Sequence, residues 1–275
     1  MKNVCVITGG GSGMGLAAAK NMPKEKVVII SGRTLSKLES GVSELRALGY
    51  EAYAKPCDTS DRERVKALVN FACTKGEIKN CINCAGLSPA MSGAEKLLQV
   101  NALGTVYVNQ EFAKVMHHGS VIVDISSNSG YILPKFLANK KAYALAETDE
   151  ALFLKKLMAL GSLIKDPYKS AGLAYAFSKN FVIWYAAKCA FDFGEKGIRV
   201  VSLSPGLVST AMGNLEEAKD GASLIRCTAE KRMGTPAELG YAIATVADER
   251  NGYLAGVDIL CDGGCMNGKK HQRSR

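Results

Sequence analysis

The stretch Val4-Cys5-Val6-Ile7-Thr8-Gly9-Gly10-Gly11-Ser12-Gly13-Met14-Gly15-Leu16 decides the fold that this sequence predicts. It opens with a short apolar run rich in β-branched side chains, which predicts a buried strand over residues 4–8. The glycine-rich part leads into a predicted helix over residues 16–21. Glycines in such a turn let the backbone approach a ligand closely, and the helix N-terminus offers free N–H groups to a pyrophosphate. The stretch therefore predicts a dinucleotide site, with a flexible glycine-rich loop as the alternative.

Strands and helices continue to alternate along the chain, with short connections. Further strands are predicted at residues 27–31, 50–57, 77–83, 120–126, 197–204 and 257–260. Helices are predicted at residues 35–48, 61–75, 94–116, 173–193 and 236–248. Such alternation is typical of parallel β-α-β units. The sequence therefore predicts an α/β fold of the Rossmann type: a doubly wound parallel sheet of about seven strands with helices on both faces, in a single domain over residues 1–264.

Polar residues follow several predicted strands at the point where each strand ends. They are Thr8, Arg33, Asp58, Asn83 and Ser127. The carboxyl ends of parallel strands lie at one edge of a sheet, and ligands bind beyond that edge. We therefore expect these side chains to share one site.

Arg33 indicates which dinucleotide is bound. Many dinucleotide folds carry an acidic residue near this point to hold the ribose hydroxyls, but here the strand ends in Gly32-Arg33. A guanidinium is a good partner for phosphate, so the pair favours NADP(H) over NAD(H). A solvated loop arginine is the alternative.

The stretch Tyr175-Ala176-Phe177-Ser178-Lys179 lies in a predicted helix that contains neither proline nor glycine. Positions i and i+4 share a helix face, so Tyr175 and Lys179 point the same way. An ammonium beside a phenol lowers the pKa of the tyrosine and suits it to general acid/base work. Such a pair also occurs by chance in helices, so its catalytic interpretation depends on motifs elsewhere in the chain.

Asn101 lies inside the helix predicted at residues 94–116. The side chain of an asparagine competes for backbone hydrogen bonds in a helix, so its presence there indicates a specific role.

Three segments depart from the strand and helix pattern. Residues 131–171 carry apolar residues at helical spacing and predict a helical insertion before the Tyr175 helix. Residues 211–233 are polar and predict a mobile substrate lid. Residues 265–275 contain Lys269, Lys270, Arg273 and Arg275 and predict a basic, disordered tail.

Composition excludes several function classes. The formal net charge is +9, but the basic residues are scattered rather than aligned with aromatics, so we expect no nucleic-acid partner. The nine cysteines lie in apolar segments, and Cys81-Ile82-Asn83-Cys84 has no second motif of its kind, which favours buried reduced thiols. The three histidines lack metal spacing, so we expect no metal.

No apolar run approaches the roughly 20 residues of a membrane span, and the N-terminal run is too short for a signal peptide. We therefore expect a cytoplasmic protein that does not bind membranes.

With these residues in place, the chain resembles the classical short-chain dehydrogenase/reductase family over residues 4–264. The matching motifs are Thr8-Gly9-x-x-x-Gly13-x-Gly15, Asp58, Asn83-Cys84-Ala85-Gly86, Asn101, Ser126-Ser127-x-x-Gly130, Tyr175-x-x-x-Lys179 and Pro205-Gly206-x-x-x-Thr210. One departure is Cys84, where the family usually has asparagine. The order and positions of these motifs, taken together, make the resemblance specific.

The resemblance implies a role for each site residue. The implied catalytic residues are Asn101, Ser127, Tyr175 and Lys179. Tyr175 would exchange a proton with the substrate oxygen, Ser127 would hold that oxygen, Lys179 would lower the pKa of Tyr175 and bind the nicotinamide ribose, and Asn101 would anchor a water. The implied cofactor contacts are Gly9, Gly11, Ser12, Gly13, Met14, Arg33, Asp58, Thr59, Asn83, Ala85, Gly86, Tyr175, Lys179, Pro205, Gly206, Val208 and Thr210.

Two link lengths suggest a subgroup. The link from Gly86 to Asn101 is shorter, and the stretch from Ser127 to Tyr175 longer, than the family usually has. These features resemble bacterial hydroxysteroid dehydrogenases that double as carbonyl reductases. The implied reaction is hydride transfer between NADP(H) and a ketone or secondary alcohol, with a steroid, a bile acid or another bulky hydrophobic carbonyl compound as substrate. A general carbonyl or 3-oxoacyl reductase, an epimerase or dehydratase of a related fold, and a non-catalytic nucleotide-binding regulator are the alternatives.

The insertion also bears on assembly. In the family, the helix that carries Tyr-x-x-x-Lys usually packs against its copy in a partner subunit. An insertion directly before that helix replaces or blocks the contact. We therefore expect a homo-oligomer with a different interface, a dimer rather than a tetramer.

Overall fold

The computed structural model describes residues 1–273 of the chain. In that part, one parallel sheet of seven strands runs in the order β3-β2-β1-β4-β5-β6-β7. The strands are Asn3–Thr8 (β1), Val27–Gly32 (β2), Glu51–Pro56 (β3), Glu77–Asn83 (β4), Ser120–Ile125 (β5), Ile198–Pro205 (β6) and Asp258–Cys261 (β7). The predicted α/β fold with a doubly wound parallel sheet is confirmed.

Helices connect the strands. The α-helices are Gly13–Ala19 (α1), Leu35–Ala47 (α2), Arg62–Cys73 (α3), Ala94–Leu98 (α4), Gly104–Ala113 (α5), Lys140–Ala144 (α6), Glu150–Met158 (α7), Pro167–Asp192 (α8), Ala211–Glu216 (α9), Ala222–Ile225 (α10), Pro236–Val246 (α11) and Cys265–Arg273 (α12). Short 3₁₀ turns occur at Asn128–Tyr131, Lys135–Leu137, Leu145–Glu147, Gly161–Leu163 and Gly194–Lys196, and π-helical turns at Gln99–Leu103 and Glu217–Gly221.

The sheet is buried on both faces, as its near-continuous apolar strands require. In β1, Val4 and Val6 belong to one apolar layer, while Cys5 and Ile7 belong to the other. Helices α3, α5 and α8 contribute to the first layer, and α1, α2 and α11 contribute to the second. The layers leave the carboxyl ends of the strands free for a site.

One row of polar residues crosses the sheet in register near those ends. Successive partners in the row are Ser31, Thr8, Asn83, Asp124, Ser202 and Asp258. All of these residues except Asp258 are buried. Hydrogen bonds join Thr8 to Asn83, Asn83 to Asp124, and Ser202 to Asp258 along this row, so these pairs help to fix how their strands are aligned.

The insertion predicted at residues 131–171 is helical, but it consists of short helices rather than one long one. Its last part belongs to α8, which begins at Pro167, earlier than the predicted start at residue 173. The carboxylate of Asp166 accepts hydrogen bonds from Tyr168 N and Lys169 N, and proline follows at the first helical position. An Asp-Pro pair is a strong helix start, and the periodicity of the later residues does not reveal it.

The insertion packs on α8 at Phe181, Tyr185 and Lys188. The rings of Tyr143 and Phe153 lie 5.5 and 5.2 Å from the ring of Phe181, measured between centroids. The Tyr185 hydroxyl donates to Glu147 at 2.9 Å, and Lys188 forms an ion pair with the same carboxylate at 2.8 Å. The chain thereby covers part of α8 with its own residues.

The described residues 265–273, which the sequence predicted as part of a disordered tail, form α12. The carboxylate of Asp262 accepts hydrogen bonds from Gly264 N at 2.9 Å and Met266 N at 2.8 Å, so it caps the helix start. Cys265 and Met266 are buried and anchor the helix. The composition of residues 265–275 shows the basic residues, but it does not show that Cys265 and Met266 are buried. Ser274 and Arg275 lie outside the described residues.

The segment predicted as a lid also contains helices, α9, the turn Glu217–Gly221 and α10. Its mobility stays a prediction. Across residues 1–273, no helix has both the length and the apolar character that crossing a membrane requires.

Candidate active site

The glycine-rich turn packs directly on the end of β4. Gly9 and Gly13 have positive φ angles of 65° and 56°. A Cβ on Gly9 would lie 2.7 Å from Cys84 O, and a Cβ on Gly15 would lie 2.5 Å from Gly9 O. Both distances are far inside van der Waals contact, so the turn itself requires glycine at these positions.

A first cavity, here called the turn cavity, opens between this turn and the ends of β2 and β3. The predicted cofactor contacts that line it are Gly9, Gly11, Ser12, Arg33, Asp58, Thr59, Ala85 and Gly86. Lys37, in the first turn of α2, lines it as well and is not among the predicted site residues. The available signal was a second basic side chain on the helix that follows Arg33.

A second cavity, here called the tyrosine cavity, lies at the ends of β5 and β6. The predicted site residues that line it are Met14, Gly86, Ser127, Tyr175, Lys179, Pro205, Gly206, Val208 and Thr210. Gly86 and Leu87 line both cavities, so the two cavities meet at these residues. Gly13 lies beside the tyrosine cavity, because a Cβ there would be 3.3 Å from Thr210 Cγ2. The strand ends thus bring most of the predicted residues together.

Asn83 has a different position from the other predicted contacts. Its side chain is buried beneath the two cavities, where Oδ1 accepts from the Thr8 hydroxyl at 2.7 Å. Its Nδ2 donates to Thr105 Oγ1 and to Asp124 Oδ1, both at 3.2 Å. Burial raises the pKa of Asp124 to about 6, while hydrogen bonds from Asn109 and Asn83 oppose that shift. The Asn83 side chain therefore connects strands rather than lining either cavity.

Asn101 lies in the π-helical turn Gln99–Leu103, which interrupts the helix predicted over residues 94–116. Its side-chain Oδ1 accepts from Leu87 N at 2.8 Å, and its Nδ2 donates to Leu87 O at 3.0 Å. Turns of π-helix are rare and are frequently found at functional sites. Asn101 thus fixes the backbone of Leu87 where the two cavities join.

Tyr175 and Lys179 lie one turn apart on α8, as predicted, and both line the tyrosine cavity. Lys179 Nζ donates to Ile125 O at 2.9 Å and lies 5.8 Å from the centre of the Tyr175 ring. Burial lowers the pKa of Lys179 to about 8, although nearby negative groups oppose this change. The lysine therefore titrates much closer to neutrality than an exposed one.

The pKa of Tyr175 is raised in the structure, which is opposite to the predicted direction. Burial disfavours the phenolate and is the largest cause, and the charge of Glu216 acts in the same direction. A hydrogen bond with Ser127 acts the other way but is smaller. The prediction assumed a charged lysine against the phenol, whereas burial here disfavours both charges.

Glu216 is a second residue that lines the site without having been predicted from the sequence. It is the last residue of α9 and lines the tyrosine cavity with Ser127, Tyr175 and Lys179. Burial raises its pKa, against the Ser88 hydroxyl and Lys179. An acid in a polar segment has the same sequence pattern as a solvated side chain, so no local signal marked it. No group of three or more His, Cys, Asp or Glu in residues 1–273 could hold a metal ion.

Two family models match the chain. The model for short chain dehydrogenase covers residues 3–144, and the model for Enoyl-(Acyl carrier protein) reductase covers residues 156–266. The chain belongs to the short-chain dehydrogenase/reductase family. This short-chain dehydrogenase/reductase therefore acts on CH–OH groups or the matching carbonyls with a nicotinamide nucleotide.

Relatives of this short-chain dehydrogenase/reductase have varied names. The short-chain dehydrogenase/reductase bsc3 of Alternaria brassicicola is 28% identical over 269 residues, with 96% of each chain covered. Cyclohexanol dehydrogenase of Acinetobacter sp. (strain SE19) is 26% identical, covering 94% of this chain and 93% of its own. The 3-alpha-hydroxysteroid dehydrogenase/carbonyl reductase of Comamonas testosteroni is 25% identical, covering 95% and 96%. The identities of these three relatives to this chain lie between 25% and 28%, so they do not assign the chain to one subgroup of the family.

Solved structures agree on the fold. The short-chain dehydrogenase/reductase from Serratia marcescens BCRC 10948 superposes with a TM-score of 0.74 at 23% identity, over 96% of this chain and 97% of that one. This chain and that protein therefore have the same fold.

The geometry of Asn101 gives a testable prediction. Asn101→Ala removes both partners of the Leu87 backbone, and we expect a loss of about 1–3 kcal/mol in the free energy of unfolding, measured with urea. Asn101→Asp keeps the acceptor for Leu87 N but places a buried carboxylate oxygen against Leu87 O, so it should lose at least as much stability as Asn101→Ala. Asn21→Ala is the control, because Asn21 is exposed and bonds only Ala17 O among the described contacts. Equal stability of the Asn101→Ala and Asn21→Ala variants would contradict the role of Asn101.

Proposed function

We propose that this short-chain dehydrogenase/reductase interconverts a bulky hydrophobic ketone and its secondary alcohol, with NADP(H) as the preferred cofactor. One observation supports the proposal above all others. Two neighbouring cavities share Gly86 and Leu87; Arg33 lines the turn cavity, and Ser127, Tyr175 and Lys179 line the tyrosine cavity. A dinucleotide is an elongated ligand, so its phosphates and its reactive ring need adjoining cavities of this kind.

Side chains in the tyrosine cavity handle the proton and the substrate oxygen in this proposal. Tyr175 donates a proton to the oxygen during reduction and removes it during oxidation. Ser127 donates a hydrogen bond to the same oxygen as negative charge develops there. Lys179 holds the nicotinamide ribose and tunes Tyr175, and its low pKa lets it change charge near neutrality. Asn101 fixes the Leu87 backbone where the two cavities meet, and in this proposal it also anchors a water beside Lys179.

The residues present fit a nicotinamide dinucleotide. The glycine turn leaves no room for side chains where α1 begins, which keeps its backbone N–H groups accessible to the pyrophosphate. Asp58 and Thr59 would hold the adenine end. The nicotinamide end would lie against Pro205, Gly206, Val208 and Thr210. When bound, the nicotinamide supplies or accepts the hydride.

Two cations support the preference for NADP(H). Arg33 and Lys37 both line the turn cavity, while Gly32 replaces the acid that would repel a 2′-phosphate. A planar guanidinium and a nearby ammonium together form a suitable phosphate site. A solvated Arg33 is the alternative, and the cofactor experiment below separates the two.

Apolar walls support a bulky hydrophobic substrate. Leu87, Leu207, Met212 and Leu224 line the tyrosine cavity around the catalytic side chains. Such walls suit a steroid, a bile acid or a similar ring ketone. The name of the Comamonas testosteroni relative agrees with this class, while the name of the Acinetobacter relative favours a general carbonyl reductase for smaller ring ketones.

The covered face of α8 supports a dimer with an interface other than the usual helix pair. Tyr143, Phe153 and Glu147 from the insertion occupy that face. A helix cannot pack against its copy where its own chain already covers it.

The oligomeric state can be measured by light scattering. We expect twice the mass of one chain, and a mass four times that of one chain would contradict the proposal.

Replacement of the Tyr175 hydroxyl tests the chemistry. Tyr175→Phe should lower kcat by roughly 10²–10⁴-fold, because it removes only the proton donor. Cofactor affinity, measured by NADPH fluorescence, should change little. Tyr185→Phe is the matched control, since its hydroxyl lies on the same helix but bonds Glu147 outside both cavities. A loss below tenfold for Tyr175→Phe would remove Tyr175 from the proton-transfer role.

The cofactor preference has a separate test. Gly32→Asp combined with Arg33→Ala should shift the ratio of kcat/KM values toward NADH, since an acid then meets the ribose and the phosphate partner is gone. Lys37→Ala alone should weaken NADPH more than NADH. If the wild type already uses NADH as efficiently as NADPH, the interpretation of Arg33 is wrong.

A further inference from the structure

Glu216 occupies an unusual position in the tyrosine cavity. Among the described residues that line this cavity, it is the one acidic side chain. Its segment is held in place at the start of α9, where the Thr210 hydroxyl accepts from Gly213 N at 3.0 Å. The carboxylate therefore belongs to the wall of the site rather than to an exposed surface.

The surroundings of this carboxylate leave its charge only partly compensated. Burial raises the pKa of Glu216, and the groups that act against burial are the Ser88 hydroxyl and Lys179. Lys179 is the one cation that lines the cavity in the described part of the chain, and its Nζ already donates to Ile125 O. No ion pair of Glu216 occurs within 4.0 Å among residues 1–273. A carboxylate partly kept from water without an ion-pair partner is costly, and a ligand that supplies a donor offsets that cost.

We propose that Glu216 is the polar recognition group of the substrate site and that it binds a hydrogen-bond donor, a hydroxyl or a protonated amine, carried by the ketone substrate. The inference rests on the proposed function, because Ser127 and Tyr175 fix the carbonyl in the same cavity. Leu207 and Leu224 contribute apolar parts of the same wall, beside the uncharged polar side chains of Asn128 and Ser129. The substrate class is therefore an apolar ring ketone with one donor group away from the carbonyl, and a carboxylate at that place is repelled.

Three ring ketones of similar size test this inference with NADPH: cyclohexanone, 4-hydroxycyclohexanone and 1-methylpiperidin-4-one, which is largely protonated at pH 7. Glu216→Gln keeps an acceptor but removes the charge, whereas Glu216→Leu removes both. A hydrogen bond to a charged group corresponds to on the order of 10- to 100-fold in kcat/KM. We expect that loss for the amine in both variants and for the hydroxyketone mainly in the Leu variant. Cyclohexanone should change by less than about threefold in either variant. Glu217→Gln, an exposed neighbour, is the control.

The pattern of losses identifies the donor. A loss confined to the amine assigns Glu216 to cation recognition, and a loss for both donor ketones assigns it to hydrogen-bond recognition. An equal loss for all three ketones overturns the inference, because a structural role lowers every activity alike. A wild type that prefers cyclohexanone to both donor ketones overturns it as well.

A binding measurement separates this inference from the proposed function. The alcohol 1-methylpiperidin-4-ol does not react with NADPH, so calorimetry can follow its binding without turnover. Binding that is weakened at least tenfold in Glu216→Gln supports the inference even if no ketone is reduced, and that combination contradicts only the proposed reaction. Equal binding by wild type and variant overturns the inference and leaves the proposed reaction intact.

Discussion

The row of buried polar residues across the sheet is the constraint on which the two cavities depend. Asp124 accepts from Asn83 and Asn109, and Asn83 accepts from Thr8, whose hydroxyl in turn accepts from Ala85 N. These bonds join β1, β4, β5 and α5 directly beneath the point where the two cavities join. An unsatisfied buried polar group costs about 1–3 kcal/mol. A shift of one strand along its neighbour would leave several of these groups unsatisfied at once, so it would be strongly unfavourable. The strand ends are thereby held at the same level.

Much of this arrangement could be predicted because it depends on backbone geometry. Glycines at Gly9 and Gly13 are needed for positive φ angles, and parallel strands must end at one edge. Glu216 and Lys37 could not be found in the same way, since a charged residue in a polar segment has the same local pattern whether it is solvated or buried. The raised pKa of Tyr175 was equally hidden, because burial is a property of the folded chain and outweighs the spacing of Tyr175 and Lys179. The helix at Cys265–Arg273 was missed because charge composition conceals two apolar anchors.

The insertion and the pair of Tyr175 and Lys179 share one helix. Helix α8 carries Tyr175 and Lys179 near its N-terminal half and is clamped further on by Phe153, Tyr143 and Glu147. Residues of the same chain thus provide packing for this helix and help to set the orientation of the pair.

Helix α12 has a consequence for the order in which the site is assembled. The Cys265 thiol donates to Leu224 O at 3.4 Å, and Leu224 is part of the wall of the tyrosine cavity. Gly268 lies against the Cys227 backbone, where a Cβ would be 2.0 Å from the carbonyl oxygen. During synthesis the N-terminal half, with its glycine turn, leaves the ribosome first and can begin to fold, whereas the wall at Leu224 gains its support only after every strand has been made. A nascent chain would therefore assemble the part of the site around the glycine turn well before the part around Leu224.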